Sequence, residues 1–438
     1  MAERSPGLVR GLGPLTTTAL VAGNIIGSGI YVIPASLADV AGPVSLIAWG
    51  IVAAASMCMV VVCADLATAY PVSGGLQVYA QRAFGDFAGV EASFLYWISQ
   101  VIGNAAYLTA FAGYFQVFFP RFAEPLAAFT LAQAILWTLT IANILGVRVG
   151  GAVQVLTTVL KVLPLLVVSV ALFFRASTSN LVPFAPKGYA AIFPAISLVA
   201  WIFIGAESAT VPAEEIRSPE RTIRRSLLVG LLLATGVYFL VALSLNLGLP
   251  STEISGSPSP LATAGLRVLG PAGQAFVTVG ALISLLGVLN GWLLVTGRLP
   301  YAAARQRLAP ALFGKIDPRT RTPAIALAFS SLLTSGVLLL YFSRDLLDAY
   351  NLVALASTAT SLVAIGVACA AQLVLIRREP ERFEAGRRRR APWTVGASLL
   401  MVGVMILGSG PEVCLYTVLA AALPAPYYLW LRRRVGGG

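Results

Sequence analysis

The sequence has no histidine, few cysteines and little charge. Without histidine, the 438-residue chain lacks the side chain that most often ligates metals, relays protons and acts as a catalytic base. The four cysteines are Cys58, Cys63, Cys369 and Cys414, and they show neither the spacing of a metal site nor that of a disulfide framework. The sequence also shows no arrangement of residues typical of a catalytic nucleophile and its base. We therefore expect no metal, no cofactor and no enzymatic activity, and any proton coupling must use Lys, Glu, Asp or Tyr.

Only 11% of the residues are charged, whereas 58% are hydrophobic and the mean hydropathy is +0.85. Soluble domains carry about 25% charged residues. Several apolar runs reach the roughly 20 residues that cross a bilayer core, and a helix satisfies its own backbone there. The composition predicts an all-α integral membrane protein with about twelve spans, near 14–38, 43–69, 88–119, 124–146, 150–174, 190–213, 226–249, 271–299, 322–342, 347–376, 393–410 and 412–431. No connection is long enough for a second domain, so we expect residues 1–438 to form a single transmembrane domain.

The net charge of +12 suggests either a nucleic-acid surface or a topology signal. On the twelve-span map, five of the thirty Lys and Arg residues face one side, twenty-four face the other, and Lys161 lies within a span. This asymmetry is typical of the positive-inside pattern. We expect a multi-pass protein of the plasma (inner) membrane with both termini in the cytoplasm, surrounded by lipid and without a nucleic-acid partner.

Spans one and six share a short repeat. Residues 26–34 read IGSGIYVIP and residues 204–212 read IGAESATVP, so Ile-Gly opens and Pro closes both. Because glycine weakens a helix and proline removes a donor, matched interruptions in two halves predict discontinuous helices around a central site. The alternative is that glycine-rich spans merely pack closely against their neighbours.

Two ionisable residues lie deep in predicted spans. Lys161 is roughly 16 Å from the start of span five, too deep for its ammonium to reach water by extending along the helix. Such a lysine either carries a coupling proton or is a fixed cation that joins two helices. Glu207 follows the glycine of the second interruption, where it either meets an amine or proton, or only bonds the local backbone.

Two tryptophans stand at similar depth. Trp201 is one turn before Gly205, and Trp292 follows Asn290-Gly291 inside span eight. Both are too deep for an interfacial belt, so they are either core residues or aromatic walls of a site for an amine-bearing solute.

Further motifs accompany these features: Gly23–Gly29 with Pro34, Gly74–Gly75 with Tyr79 and Phe84–Gly85, Tyr96–Trp97 with Gly103–Asn104, Trp201–Ala209, Ser218–Arg221 and Gly291–Trp292. Together they resemble the amino acid, polyamine and organocation (APC) superfamily, especially the bacterial arginine–agmatine antiporters and related amino acid permeases, over nearly the whole chain. The resemblance implies a leucine-transporter-like fold of two inverted five-helix repeats, 11–175 and 190–376, plus two extra helices within 391–434. It also implies alternating access around a central site.

The resemblance also implies roles for individual residues. The substrate carboxylate would meet the segment Gly27-Ser28-Gly29, which the motif residue Asn24 precedes, and the α-amine would meet carbonyls near Ile25 and Ile204. The aromatic and side-chain pocket would comprise Trp201, Trp292, Asn104 and Ser357, and Glu207 would be the pH-sensitive carboxylate.

Four residues depart from the antiporter pattern. Ser99 and Gln100 replace small residues at the far end of the pocket, and Tyr107 replaces a methionine. Lys161 replaces an alanine, and a lysine there is typical of proton-coupled permeases and of the light chains of heteromeric exchangers, where it resembles a substitute for a sodium ion.

We therefore expect a secondary active amino acid transporter that works by exchange or proton-coupled uptake without sodium. A polyamine antiporter is the alternative within this class. A channel or receptor would have no evident use for matched broken helices, and an enzyme lacks catalytic groups. The partners are an amino acid or amine substrate and protons, and the sequence leaves a homodimer open.

Overall fold

The computed structural model describes residues 12–72, 74–145, 150–211, 213, 216–320, 322–342 and 344–435, and their regular structure is helical apart from one bridge between Leu12 and Ile216. In these ranges, nine helical stretches are long and apolar enough to cross a membrane. The chain is thus a multi-pass all-α membrane protein, as predicted.

The first half of the chain forms seven helices. They are α1 (Pro14–Ile25), α2 (Gly29–Val40), α3 (Ser45–Ala69), α4 (Leu76–Phe84), α5 (Asp86–Phe115), α6 (Pro125–Ile144) and α7 (Gly150–Phe173). The second half forms nine. They are α8 (Ile192–Phe203), α9 (Pro219–Gly248), α10 (Ser251–Ile254), α11 (Pro260–Arg305), α12 (Ala324–Val337), α13 (Leu346–Arg378), α14 (Ala385–Leu407), α15 (Pro411–Ala422) and α16 (Pro424–Val435).

The predicted spans coincide with these helices to within a few residues at most ends. Three predicted spans, corresponding to α5, α7 and α12, are not among the nine stretches selected by length and apolar composition in the described ranges. Two of them are represented by shorter apolar stretches, Leu160–Phe173 in α7 and Ala324–Leu340 in α12, which fall below the length required of a span. The count of twelve therefore stays a prediction.

Span one is broken as the repeat predicts. Helix α1 ends at Ile25, and the chain passes through Ile26, Gly27 and Ser28 before α2 begins at Gly29. The N–H of Gly27 turns back to the carbonyl of Ile25 at 2.7 Å instead of continuing the helix. The last carbonyls of α1 and the first N–H groups of α2 therefore need partners from outside the helix.

Span six is broken in the same way. Helix α8 ends at Phe203, Ile204 is extended (φ −65°, ψ 138°), and Gly205 has φ +107°. A short 3-10 turn, Ser208–Thr210, follows. A positive φ favours glycine strongly, which explains its place in the repeat. Pro212, which closes the second copy of the repeat, lies outside the described residues.

The helices pack so that both breaks face a common centre. Helix α5 lies against α13 and α11, while α1 lies against α9 and α7 and touches the 3-10 turn of span six. Helix α3 packs on α8 and α9, and α14 covers α3 and α13. Side chains from α5, α7, α9, α11 and α13 therefore reach the two breaks.

Three local features differ from the sequence prediction. The connection after span two contains the nine-residue helix α4, which is too short to give a clear periodic signal. The polar connection before span eight is helical from Pro260, with a kink at Gly270 (φ +72°). The last span is interrupted before Pro424, because proline cannot donate the backbone hydrogen bond that would continue α15.

Candidate functional site

The two breaks lie in direct contact. The side-chain amide of Asn24 donates to the hydroxyl of Ser208 at 3.0 Å, which joins α1 to the 3-10 turn. A Cβ at Gly205 would lie 3.2 Å from the carbonyl oxygen of Asn24 and 3.0 Å from Cζ2 of Trp292. Gly205 is therefore required both for its backbone conformation and for this close approach.

Side chains from two neighbouring helices satisfy the carbonyls at the end of α1. The ammonium of Lys161 donates to the carbonyl oxygens of Gly23 at 2.6 Å and Ile26 at 3.2 Å. The hydroxyl of Tyr238 donates to the carbonyl of Ile25 at 2.6 Å and lies 3.1 Å from that of Ile202. Lys161 is 1% exposed, so its amino group is buried against backbone oxygens.

A hydroxyl from α13 connects the start of α2 to the aromatic of α8. The hydroxyl oxygens of Tyr350 and Ser28 are 3.2 Å apart, and the indole N–H of Trp201 donates to Tyr350 at 2.9 Å. The ring of Tyr107 packs on Trp201 with a centroid distance of 5.7 Å and also lies over Gly27. Aromatic rings thus enclose the space beside the first break.

Glu207 folds back on its own break. One carboxylate oxygen accepts from the backbone N–H of Gly205 at 3.1 Å, and the other accepts from the hydroxyl of Tyr96 at 2.8 Å. The residue is 4% exposed. Its backbone carbonyl accepts the hydroxyl of Thr210 at 2.8 Å, and a Cβ at Gly75 would lie 2.5 Å from that hydroxyl oxygen. The glycine pair before α4 therefore closes tightly over the second break.

The predicted far end of the pocket is a closed hydrogen-bond network between α5 and α13. Ser357 donates to the backbone carbonyl of Ser99 at 2.6 Å, and Ser361 donates to the Ser99 hydroxyl at 2.7 Å. The amide of Gln100 lies 3.1 Å from the same hydroxyl. A Cβ at Gly103 would lie 3.0 Å from the hydroxyl of Ser357 and 3.1 Å from Cη2 of Trp201.

Two predicted pocket residues keep a polar atom unpaired. Asn104 donates to the hydroxyl of Thr296 at 3.2 Å, and its buried side-chain oxygen has no hydrogen-bond partner. The indole N–H of Trp292 is also buried without one, although it lies near the hydroxyl of Tyr107. Both residues are 0% exposed. Unpaired buried polar atoms are costly, and such atoms at a site point to a missing ligand.

A small cavity lies behind span six, on helices α3, α8, α13 and α14. The centres of water molecules can occupy about 30 Å³ of it. Its walls are formed by Ser56, Met59, Val60, Cys63, Ala200, Phe203, Ile204, Ala206, Glu207, Leu362, Ile365 and Met405. Glu207 and Ile204 thus border both the break and this rear cavity.

Sequence reasoning missed several of these contacts. Tyr238 and Tyr350 drew no attention, although a tyrosine in the middle of an apolar span carries a hydroxyl that must find a partner. The partners of Asp65, near the end of α3, were also missed. Its 1% exposed side chain bonds to Arg224, and Arg390 donates to it at 2.8 and 2.9 Å.

In the described residues, no group of three or more Cys, Asp or Glu side chains is arranged to hold a metal ion. The site instead offers backbone groups at two broken helices, one ammonium, one carboxylate and an aromatic enclosure. Such an arrangement can bind and release a small polar solute, and it provides no nucleophile paired with a base.

Comparison with known proteins identifies the family of this chain. The amino acid permease family model matches residues 12–426. An arginine/ornithine antiporter of Pseudomonas aeruginosa is 30% identical, over 97% of this chain and 90% of that protein. A cadaverine/lysine antiporter of Escherichia coli is 32% identical over 70% of this chain and 69% of that protein.

A solved structure has the same fold. It is a nucleobase-cation-symport-1 family transporter in a closed conformation with bromovinylhydantoin bound, with a TM-score of 0.58 at 14% sequence identity, over 99% of this chain and 96% of that one. At this identity the likeness establishes the fold alone, and that fold is the leucine-transporter-like one predicted from the sequence.

Proposed function

The chain belongs to the amino acid permease family, and on that premise we propose that it carries amino acids across the plasma membrane without sodium, by exchange or by proton-coupled uptake. It is a transporter and not an enzyme. Net movement follows from substrate binding energies that differ between outward-facing and inward-facing states.

One observation carries the proposal: the ammonium of Lys161 donates to the carbonyls of Gly23 and Ile26 at the end of α1. Backbone carbonyls at the C-terminal end of a half-helix coordinate sodium in transporters that require it. Here a covalently attached cation already occupies these oxygens. The same lysine can release and regain a proton, which makes it the proposed coupling group together with Glu207.

The proposed substrate contacts follow from the breaks. The N–H groups of Gly27, Ser28 and Gly29 at the start of α2 form a positive helix end that suits a carboxylate. The α-amine would meet the carbonyl of Ile204 and that of Ile25, whose oxygen retains a second lone pair beside its bond from Tyr238. Asn24 holds the two breaks together beside this position.

The remaining proposed contacts surround the substrate side chain. Trp201 would cover its carbon chain, Trp292 and Asn104 would form the pocket, and Ser357 with Ser99 and Gln100 would close the far end. The repeat boundaries 11–175 and 190–376, with the extra helices in 391–434, belong to the same proposal.

The proposed topology places both termini in the cytoplasm. The basic cluster of Arg224, Arg387 and Arg390 surrounds Asp65 at one end of the helices. The connections predicted on the other side of the membrane contain the ion pairs Lys187–Asp39 and Arg344–Glu412. Each of these pairs has one cation and one anion. This difference supports the positive-inside orientation in a lipid bilayer. A homodimer is an assembly to test by cross-linking in membranes.

Uptake in proteoliposomes tests the proposal. The full-length protein is reconstituted, and entry of labelled amino acids is measured with external sodium or choline, with and without internal counter-substrate, and with and without an inside-alkaline pH gradient. We expect uptake that is equal in sodium and choline and that rises with counter-substrate or with the gradient. A strict sodium requirement would overturn the proposed role of Lys161. Uptake that changes with neither the counter-substrate nor the pH gradient would contradict transport by exchange or proton coupling.

A diamine antiporter is the second candidate, because one relative exchanges cadaverine and lysine, as its name states. The same vesicles distinguish the two. Labelled cadaverine entering faster than any amino acid would favour the diamine carrier, which has no use for the carboxylate position at Gly27–Gly29.

A further inference from the structure

We propose that the substrate side chain is small, uncharged and able both to donate and to accept a hydrogen bond, as in serine, threonine or asparagine. This inference rests on the proposed function and narrows its substrate class. The relatives named above carry arginine, ornithine, lysine and cadaverine, all of them cationic, so this pocket would differ in preference from theirs.

The first argument is the pair of unpaired atoms. The side-chain oxygen of Asn104 is an acceptor without a donor, and the indole N–H of Trp292 makes no hydrogen bond of normal geometry, although the hydroxyl of Tyr107 lies near it. Asn104 bonds to Thr296, whose hydroxyl donates to the backbone carbonyl of Trp292 at 2.6 Å, so Asn104 of α5 meets α11 one turn from Trp292. A hydroxyl or carboxamide satisfies both atoms, whereas an ammonium or guanidinium has no acceptor for the indole N–H.

The second argument is charge. The carboxylate of Glu207 is already bonded to Tyr96 and to the backbone N–H of Gly205, and it turns toward the rear cavity. The other fully buried carboxylate in the described residues, Asp65, is bonded to Arg224 and Arg390. A cationic side chain would be desolvated here without an available counter-charge, at a cost of several kcal/mol.

The third argument is size. At the far end, Ser99, Gln100 and Ser361 bond to one another, and Ser357 bonds to the backbone of Ser99. The ring of Trp201 lies against Gly103 so closely that an added Cβ would be 3.1 Å from Cη2. Because protein–protein contacts close this end, we infer that the site suits a side chain of a few heavy atoms rather than the extended chain of arginine or lysine.

Competition in proteoliposomes tests the inference. Three groups of compounds are tested as inhibitors of the uptake of a labelled amino acid mixture. They are serine, threonine and asparagine; alanine and leucine; and arginine, ornithine and cadaverine. We expect the first group to inhibit at concentrations at least tenfold lower than the cations. Preferred inhibition by the cations, or by leucine, would overturn this inference and leave amino acid transport standing. Absence of transport for every compound would overturn both.

Two substitutions connect the preference to the unpaired atoms. In Asn104→Asp a carboxylate enters the pocket, and we expect the ratio of arginine to serine half-inhibition concentrations to fall at least tenfold. In Trp292→Phe the donor is lost, and the ratio of asparagine to alanine half-inhibition concentrations should rise about fivefold. Trp97→Phe is the matched control, because that indole N–H donates to Ser330 away from the breaks. Ratios unchanged in both site variants would contradict the assignment.

Discussion

The ammonium of Lys161 and the carbonyl oxygen of Gly23 are 2.6 Å apart, so a side chain of α7 terminates the hydrogen bonding of α1. The second half of the broken span, α2, also bonds to Lys161. The hydroxyl of Tyr31 on α2 donates to the backbone carbonyl of Lys161 at 2.7 Å. One residue of α7 thus holds both sides of the first break.

We expect Lys161→Ala to reduce uptake at least tenfold and to abolish its dependence on the pH gradient. The substitution leaves the carbonyls of Gly23 and Ile26 without donors and removes the proposed coupling group. Uptake in vesicles, with protein amount measured by immunoblot, is the readout, and Lys187→Ala, an exposed lysine near Asp39, is the control. Retained pH dependence in the Lys161 variant would show that the lysine is only a fixed cation.

Glu207→Gln and Glu207→Ala should differ. Glutamine keeps an acceptor for Tyr96 or Gly205 but cannot ionise, so the variant should fold and show a flatter pH profile of transport. Alanine leaves both donors unsatisfied and should lower stability by about 1–3 kcal/mol, seen as a lower melting temperature in detergent. An unaltered pH profile in the glutamine variant would assign Glu207 a structural role. Glu253→Gln, at an exposed pair with Arg267, is the control.

Tyr350→Phe should raise the KM for transport about fivefold to tenfold. The phenol oxygen contacts both Ser28 and Trp201, which are proposed to meet the substrate carboxylate and carbon chain, and its removal leaves both without their positioning bond. Initial uptake rates across substrate concentrations give KM. Tyr416→Phe, which loses only an exposed bond to Glu412, should leave KM unchanged.

Gly205→Ala should abolish transport. The added methyl group meets Trp292 at 3.0 Å and the carbonyl of Asn24 at 3.2 Å, at a backbone φ of +107° that alanine adopts only with strain. Gly50→Ala is the matched control, because an added Cβ there meets nothing within 4 Å. Near-normal uptake by the Gly205 variant would show that the break tolerates rearrangement and that its geometry is not what selects glycine.

Asp65→Asn should lower the melting temperature more than any surface substitution. Arg224 and Arg390 would lose the carboxylate that they share, and breaking a buried ion pair in this way costs about 3–5 kcal/mol. The control is Glu412→Gln at the exposed pair with Arg344, where about 1 kcal/mol or less is expected. Equal melting temperatures for the two variants would contradict a stabilising role for the cluster.

The breaks in spans one and six were predictable because their signals are local. Gly27 and Gly205 interrupt helices within the same few residues that show the repeat, and the structure confirms both interruptions. Helix positions followed equally well from apolar runs, since a bilayer demands length and composition from each span separately.

The partners of the breaks were not predictable from pattern. Tyr238 reaches Ile25 across 213 residues of sequence, and Tyr350 reaches Ser28 across 322. Asp65 meets Arg390 across 325. Nothing in the local composition of a span selects a partner at such separation, because the choice is made by how distant helices pack. The resemblance to a family supplied the roles of the pocket residues, and none of those roles follows from spacing alone.

The hydroxyl of Tyr238 touches the carbonyls of Ile25 and Ile202, and Asn24 bonds to Ser208. These bonds join α1, α8 and α9 around the two breaks, while Asn104 lies on α5 and Trp292 on α11. A solute bound as we propose would contact both groups of helices. Its release to either face of the membrane would then break contacts between the groups and leave the bonds among α1, α8 and α9 in place.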